Sequence, residues 1–265
     1  CDSLSPHKHL HSTRRHIPRM SLTHTLVGKD GFRLRGAEMS RVDGFSDVVF
    51  GFALTLIVAS LEVPRTYEEL HDVMLGFLPF AICFVFLMMV WLSHFRFFRR
   101  FGLQDIWTIL INAALLFTVL FYVYPMKFLF TLVGSQWVKI HYDHPPLTDV
   151  MQVRELTTLY GFGFVAIYSL LTLLNWNAWR QRAVLQLNQL ELVIVRSEIV
   201  DLAFVAFTGL LVMLAAHVLR PERAFAACYI FLLIGPWKFM TGSYFGKRIR
   251  KLQKSASLEQ SPSSH

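Results

Sequence analysis

Apolar residues gather into long runs along this chain, with short polar segments between them. The runs are Gly44–Leu61, Val73–Ser93, Ile106–Val133, Leu156–Asn175, Ile199–Leu219 and Ala224–Thr241. Each is close to the ~20 residues that carry a helix across a hydrocarbon core about 30 Å thick. None alternates apolar and polar with a period of two, which sets a transmembrane β-barrel aside. The pattern predicts an all-α, polytopic membrane protein with six transmembrane helices. The third run is long for a perpendicular span, and Pro125 is expected to kink or end it. Pro79 and Pro236 also fall within spans, where neighbouring helices can satisfy the freed carbonyls.

The polar segments alternate in charge. Lys8, Arg14, Arg15, Arg19, Lys29, Arg33, Arg35 and Arg41 precede the first span, and Arg96, Arg99 and Arg100 follow the second. Arg180, Arg182 and Arg196 separate the fourth from the fifth, and Lys247, Arg248, Arg250, Lys251 and Lys254 follow the sixth. The other segments are poor in lysine and arginine, and EVPRTYEELHD carries one arginine among four acids. Positive charge marks the cytoplasmic side, so both termini are expected there. Three regions follow: a basic, disordered tail over 1–40, the six-helix transmembrane domain over 41–242, and a basic, polar tail over 243–265.

Composition sharpens this picture. Hydrophobic residues make up 54% of the 265, with 24 phenylalanines, and mean hydropathy is +0.44. The net charge of +8 would suit nucleic acid, but its loop-wise placement belongs to membrane topology, so no nucleic-acid partner is expected. Cys83 and Cys228 lie in apolar runs and Cys1 is terminal, which gives no disulfide framework. Met20 follows HSTRRHIPR and is an alternative start, and no short apolar segment suited to a cleavable signal precedes residue 44. His7, His9, His11 and His16 read as a solvated tail rather than a metal site, and no cofactor is expected. Walker, GxSxG, HExxH and dinucleotide motifs are absent, so the chain does not read as an enzyme. GFGF at 161–164 reads as close helix packing.

At about 100° per residue, Phe45, Val48, Phe52, Leu56 and Ala59 form one stripe on the first helix. Gly51, Thr55 and Ala59 make a small-residue ridge beside it, of the kind that lets membrane helices approach closely. Asp47 points nearly opposite Phe52, with Ser46 between. An aspartate at the mouth of an apolar run is expensive and must be partnered by protein or water. His94, Asn112, Lys127, Asp201 and His217 are candidate partners.

The motif R-x-x-x-F-S-D, here Arg41, Phe45, Ser46 and Asp47, resembles the transmembrane protein 175 family of potassium channels. Trp91 and His94 at the end of the second helix, and Asn112, Leu115, Leu116 and Pro125 on the third, extend the resemblance over residues 36–242. It implies a homotetramer in the inner cell membrane that passes potassium ions through a pore lined by the first helix. Phe52, Thr55, Leu56 and Ala59 are then the pore positions, with Phe52 and Leu56 as the apolar constriction and Thr55 as a hydroxyl replacing ion hydration. Arg41, Phe45, Ser46, Asp47, Trp91, His94 and Asn112 become a polar network supporting the pore helix. This chain departs from the family pattern in having Phe95 where a second histidine is common, Phe52 where a smaller aliphatic residue is frequent, and Lys127 after Pro125. A coupled transporter using Asp47, His94 and Asp201 as a relay is the competing reading, and a non-conducting scaffold is a third.

Overall fold

The computed structural model describes residues 27–259, apart from 29, 37, 60–64, 68–69, 72–73, 75–76 and 138–149. The histidine-rich start, Met20 and most of the segment after the third run lie outside the described residues. So do the side chains of Ala59 and Lys127.

The described residues form helices α1 (Arg41–Ala59), α2 (Phe77–Phe101), α3 (Ile106–Trp137), α4 (Val150–Arg180) and α5 (Gln189–Val218). A 3-10 helix, Pro221–Leu233, then leads into α6, Ile234–Glu259. Four segments are long and apolar enough to cross a membrane among the described residues: Phe80–Phe101, Ile106–Pro125, Met151–Arg180 and Gln189–Val218. Helix is the form these runs must take, because only it satisfies every backbone group within a single segment in lipid.

The structure narrows one expectation about a helix end and changes another. Pro125 lies inside α3 and does not end it. Its carbonyl accepts a hydrogen bond from the Tyr160 hydroxyl of α4, so the neighbouring helix secures the chain where proline interrupts the ladder. Beyond residue 242, where a polar tail is expected, α6 continues to Glu259. Lys, Arg, Leu, Gln and Ala dominate that stretch, and all are strong helix formers with no proline among them.

Helix α1 packs on α2 and α3, α4 packs on α3 and α5, and α6 lies against α5. Leu87, Val90, Phe97, Leu115, Val119, Leu171 and Leu174 form the centre of the core. The GFGF stretch serves packing, as expected. A Cβ at Gly161 would stand 3.0 Å from the Gly209 carbonyl of α5, and one at Gly163 would meet the Tyr122 ring of α3 at 2.1 Å. Backbone-to-backbone approach of this kind is the use membrane helices make of small residues.

Candidate functional site: the face and footing of the first helix

Helix α1 has two unlike faces. Ser46, Phe50, Ala53 and Ile57 are buried against α2 and α3. Phe45, Val48, Phe52 and Val58 are 53–70% exposed, and Gly51 and Thr55 are exposed with them. A Cβ at Gly51 would meet nothing within 4 Å. Among the described residues, the Gly51 and Thr55 part of the small-residue ridge is therefore left open rather than packed on a neighbouring helix. The predicted stripe of Phe45, Val48 and Phe52 is bare along its described length, and Leu56 is half-buried at its edge.

Under the buried face lies a directional hydrogen-bond chain. The Trp91 indole donates to Asp47 Oδ1 at 2.8 Å. Asn112 Nδ2 donates to Ser46 Oγ at 2.9 Å, and Ser46 Oγ in turn donates to the Val42 carbonyl at 2.7 Å. With its amide nitrogen so engaged, Asn112 offers Oδ1 as an acceptor, and His94 Nε2 lies 2.8 Å from it. Nε2 of His94 must then carry the proton. Ser46, His94 and Asn112 are all buried, so each of these bonds replaces hydration that the site excludes.

Sequence reasoning placed seven residues in this network, and the structure brings five together. Arg41 is exposed at the start of α1 and donates no hydrogen bond among the described residues. Phe45 is 64% exposed, on the bare face rather than the polar one. As the first residue of α1, Arg41 simply reaches solvent. Ser40 makes the local cap instead, accepting from the Asp43 N–H at 3.1 Å. Phe95, which stands where a second histidine was expected, stacks on Trp91 with ring centroids 5.4 Å apart, and Arg99 lies over its other side. Asp201 is elsewhere, on α5 facing Trp237, Lys238 and Thr241 of α6. The three residues of the transporter relay are therefore not one cluster, since α1 does not touch α5 or α6 among the described residues.

Two arrangements at the same end of the bundle escaped sequence reasoning. Residues 27–36, assigned by composition to a tail, are packed as a strap. Phe32 is fully buried against Phe101, and Val27 bridges to Arg33. The Arg35 and Gly36 amides donate to the Arg100 and Arg99 carbonyls at the end of α2, both at 3.2 Å. Gly36 is required there, because a Cβ would stand 2.2 Å from the Phe98 carbonyl oxygen. A single carboxylate, Glu191 at the start of α5, holds the strap. It accepts from Arg33 N at 3.0 Å, Arg33 Nε at 3.1 Å and Arg33 Nη2 at 2.9 Å. Arg35 adds Nη1 at 3.1 Å and Nη2 at 3.0 Å. The same carboxylate closes a capping box with Asn188. Hydrogen bonding to Glu191 holds the Arg33 guanidinium above its ordinary value.

The second arrangement is Asp105, between α2 and α3. It caps α3 by accepting from the Thr108 N–H at 3.3 Å, accepts from Thr108 Oγ1 at 2.6 Å and links to α4 through Asn177 Nδ2 at 3.2 Å. Burial opposes ionisation of Asp105, but hydrogen bonds from Thr108, Gln181 and Asn177 outweigh it and hold the carboxyl below its ordinary range. The residues signalled themselves weakly: Asp three before Thr and ahead of an apolar run is a helix-start pattern, and Asn188 with Glu191 is a capping box.

A helical membrane bundle whose first helix is footed on a buried polar chain and bare on its other side is the class these features define. The Marivirga tractuosa protein named "Potassium channel" is 32% identical over 244 residues, covering 86% of this chain and 96% of its own length. The chain belongs to the TMEM175 family, whose model, described as the endosomal/lysosomal potassium channel TMEM175, matches residues 41–125. A potassium channel from Chamaesiphon minutus is 29% identical over 101 residues, 35% of this chain and 50% of that one. Among solved structures, a variant of the potassium channel MtTMEM175 in complex with a nanobody fusion aligns with a TM-score of 0.72 and 30% identity. It covers 84% of this chain and 100% of that chain. A TMEM175 homolog from Chamaesiphon minutus, described as a lysosomal potassium-selective channel, aligns over 79% and 96% with a TM-score of 0.51 and 22% identity. That second likeness speaks to the fold.

Proposed function

We propose that this chain is a passive potassium channel whose conduction path is lined by the bare face of α1. The carrying observation is that face itself: Phe45, Val48, Phe52, Thr55 and Val58 are exposed among the described residues, while Ser46, Phe50, Ala53 and Ile57 on the opposite face are buried. Relatives along nearly the whole chain are named potassium channels. In the proposed assembly four copies turn this face toward a common axis, with Phe52 and Leu56 as an apolar constriction that gates by dewetting. Thr55 Oγ1 donates its proton to the Phe52 carbonyl at 2.7 Å. Its oxygen lone pairs are therefore free to face a dehydrated cation. Ala59 completes the stripe.

The topology proposed is six spans, the last made of the 3-10 helix and the first turns of α6, with both termini cytoplasmic in the inner cell membrane. Contacts among the strap, the α2 end, the α3 start, the α4 end, the α5 start and Gln253 of α6 gather these at one end of the bundle. That end holds Arg33, Arg35, Arg99, Arg100 and Arg182, which suits the cytoplasmic side. The buried chain of Ser46, His94 and Asn112, with the half-buried Asp47–Trp91 pair beside it, then acts as footing for the pore helix, not as a filter.

The test is purified protein in potassium-loaded liposomes, with efflux followed without valinomycin and compared with sodium-loaded vesicles. Passive potassium efflux that does not saturate with concentration is expected. Flux that saturates and requires a second, counter-moving ion would replace the channel with a transporter.

A further inference from the structure

The strap is the last stretch of chain before α1, and its position is decided elsewhere in the molecule. From Gly36 to Arg41 there are five residue steps, a reach of at most about 18 Å even fully extended. Wherever the strap is held, the entrance of α1 is held within that radius. What holds it is Glu191 on α5, through Arg33 and Arg35. Around this clamp, Arg100 of α2 bridges Asp30 of the strap and Glu198 of α5, at 3.0 and 3.1 Å. Gln253 of α6 donates to the Asp30 carbonyl at 2.9 Å. Among the described helices, α1 touches α2 and α3 and not α5 or α6. The strap is thus the direct tie between the first helix and the α5–α6 half of the bundle.

The chemistry of the clamp suits a positional role. The Glu191 side chain is 0% exposed, whereas Arg33 and Arg35 reach solvent at 35% and 19%. A buried carboxylate is tolerable only while both guanidinium forks face it, and charged, bidentate bonds are directional. Sliding the strap by one residue would turn both arginines away. Gln186, in the left-handed conformation with φ 48°, turns the α4–α5 connection so that its carbonyl accepts from Arg33 Nη2. The connection is shaped to the strap as well as the strap to it.

We propose that Glu191, through Arg33 and Arg35, is a positioning residue for ion conduction: it fixes the entrance of α1 relative to α5 and α6, and so sets the bore. This rests on α1 lining the pore. An apolar constriction conducts only in a narrow range of widths, so loosening the clamp lowers flux through assembled channels.

The experiment compares Glu191→Gln, Arg33→Gln/Arg35→Gln, the combination of all three, and Asn188→Ala in liposomes, normalised to assembled protein. Glutamine at 191 keeps the capping box and loses the charge, whereas Asn188→Ala loses the cap and keeps the charge. Expected is a fall in potassium flux of about tenfold or more for the first two variants, from dewetting of a misplaced constriction. The triple combination should fall no further, and Asn188→Ala should stay within about twofold of the parent. If Glu191→Gln does not assemble, Arg35→Lys retains the charge without the fork and must lower flux about threefold. Undiminished flux in whichever of these variants assembles overturns the proposal. So does an Asn188→Ala loss equal to that of Glu191→Gln, which would make the role one of helix capping.

A second readout does not depend on conduction. Spin labels at Val48 and Val184, both exposed, report the distance from α1 to the α4–α5 connection by pulsed dipolar spectroscopy. The distribution should broaden or shift in Glu191→Gln, and an unchanged one contradicts the clamp. A changed distribution together with parent and variants that all pass no potassium would instead sink the pore reading and leave the clamp standing.

Discussion

The two polar clusters at the foot of this bundle are built on opposite plans. The chain from His94 through Asn112 and Ser46 is neutral, buried and short-range in space, with its only carboxylate, Asp47, at the half-buried margin. The Glu191 clamp is a full charge pair at the rim, recruited from segments more than 150 residues apart. The first has no alternative hydration and fixes rotation of α1 about its axis. The second trades hydration for directional charge and fixes where α1 begins. A helix proposed to line a pore needs both, because neither restraint supplies the other.

The largest way to break the comparison is at the clamp's centre. Glu191→Ala leaves two guanidinium groups facing each other and removes the cap partner of α5. A loss of about 3 kcal/mol is expected, the lower end for a broken buried pair because the arginines reach solvent. Thermal denaturation in detergent would show it, and a loss no larger than that of an exposed pair would mean the clamp is decorative.

Next is Asn112→Ala, which orphans His94 Nε2 and takes a donor from Ser46 Oγ while leaving its bond to the Val42 carbonyl. A buried unsatisfied group costs about 1–3 kcal/mol, less where water enters the vacated space, and thermal denaturation in detergent would show it. Asp47→Asn keeps a hydrogen-bond acceptor for Trp91 and should lower the yield of assembled protein without altering the potassium-to-sodium flux ratio. Intact assemblies with changed ion preference would move Asp47 from footing to filter.

Smaller is Asp105→Ala, a lost helix cap worth about 1 kcal/mol. Its pH dependence carries the sign. A carboxyl held below its ordinary value of 3.8 in the fold contributes stability that is complete above that value and lost as pH falls through the folded one. The difference between parent and Asp105→Ala should therefore be full at neutral pH and shrink below about pH 4. Arg41→Ala should be smallest of all, within about 0.5 kcal/mol, as for an exposed side chain with no special contact. A large Arg41 effect would restore it to the network from which the geometry separates it.

The two clusters also explain what could be read in the sequence. Ser46, Asp47, His94 and Asn112 stand out because each is polar where the chain is otherwise apolar, and such residues must find one another. Glu191, Arg33 and Arg35 are charges among charges, in stretches that look like ordinary solvated segments. Nothing local distinguishes a paired arginine there from a free one. The same cause hid the strap. Phe32 is one aromatic in a polar run, and its burial depends on Phe101 and on Arg35 and Arg100 lying over its ring. The extension of α6 was legible in propensity, but its polarity argued for a tail. Packing of Ile249 against the core and the Gln253 contact to Asp30 decide it.

The central claim, that potassium passes along the bare face of α1, is tested most directly by single cysteines in a background with Cys1, Cys83 and Cys228 replaced. Potassium current in planar bilayers is recorded while a water-soluble, charged thiol reagent is added. Cysteine at Phe52 or Thr55 should give block that thiol reduction reverses, while cysteine at buried Ala53 or at exposed Val85 of α2 should not. Insensitive channels at Phe52 and Thr55, or block at Val85, would place the conduction path somewhere other than the first helix.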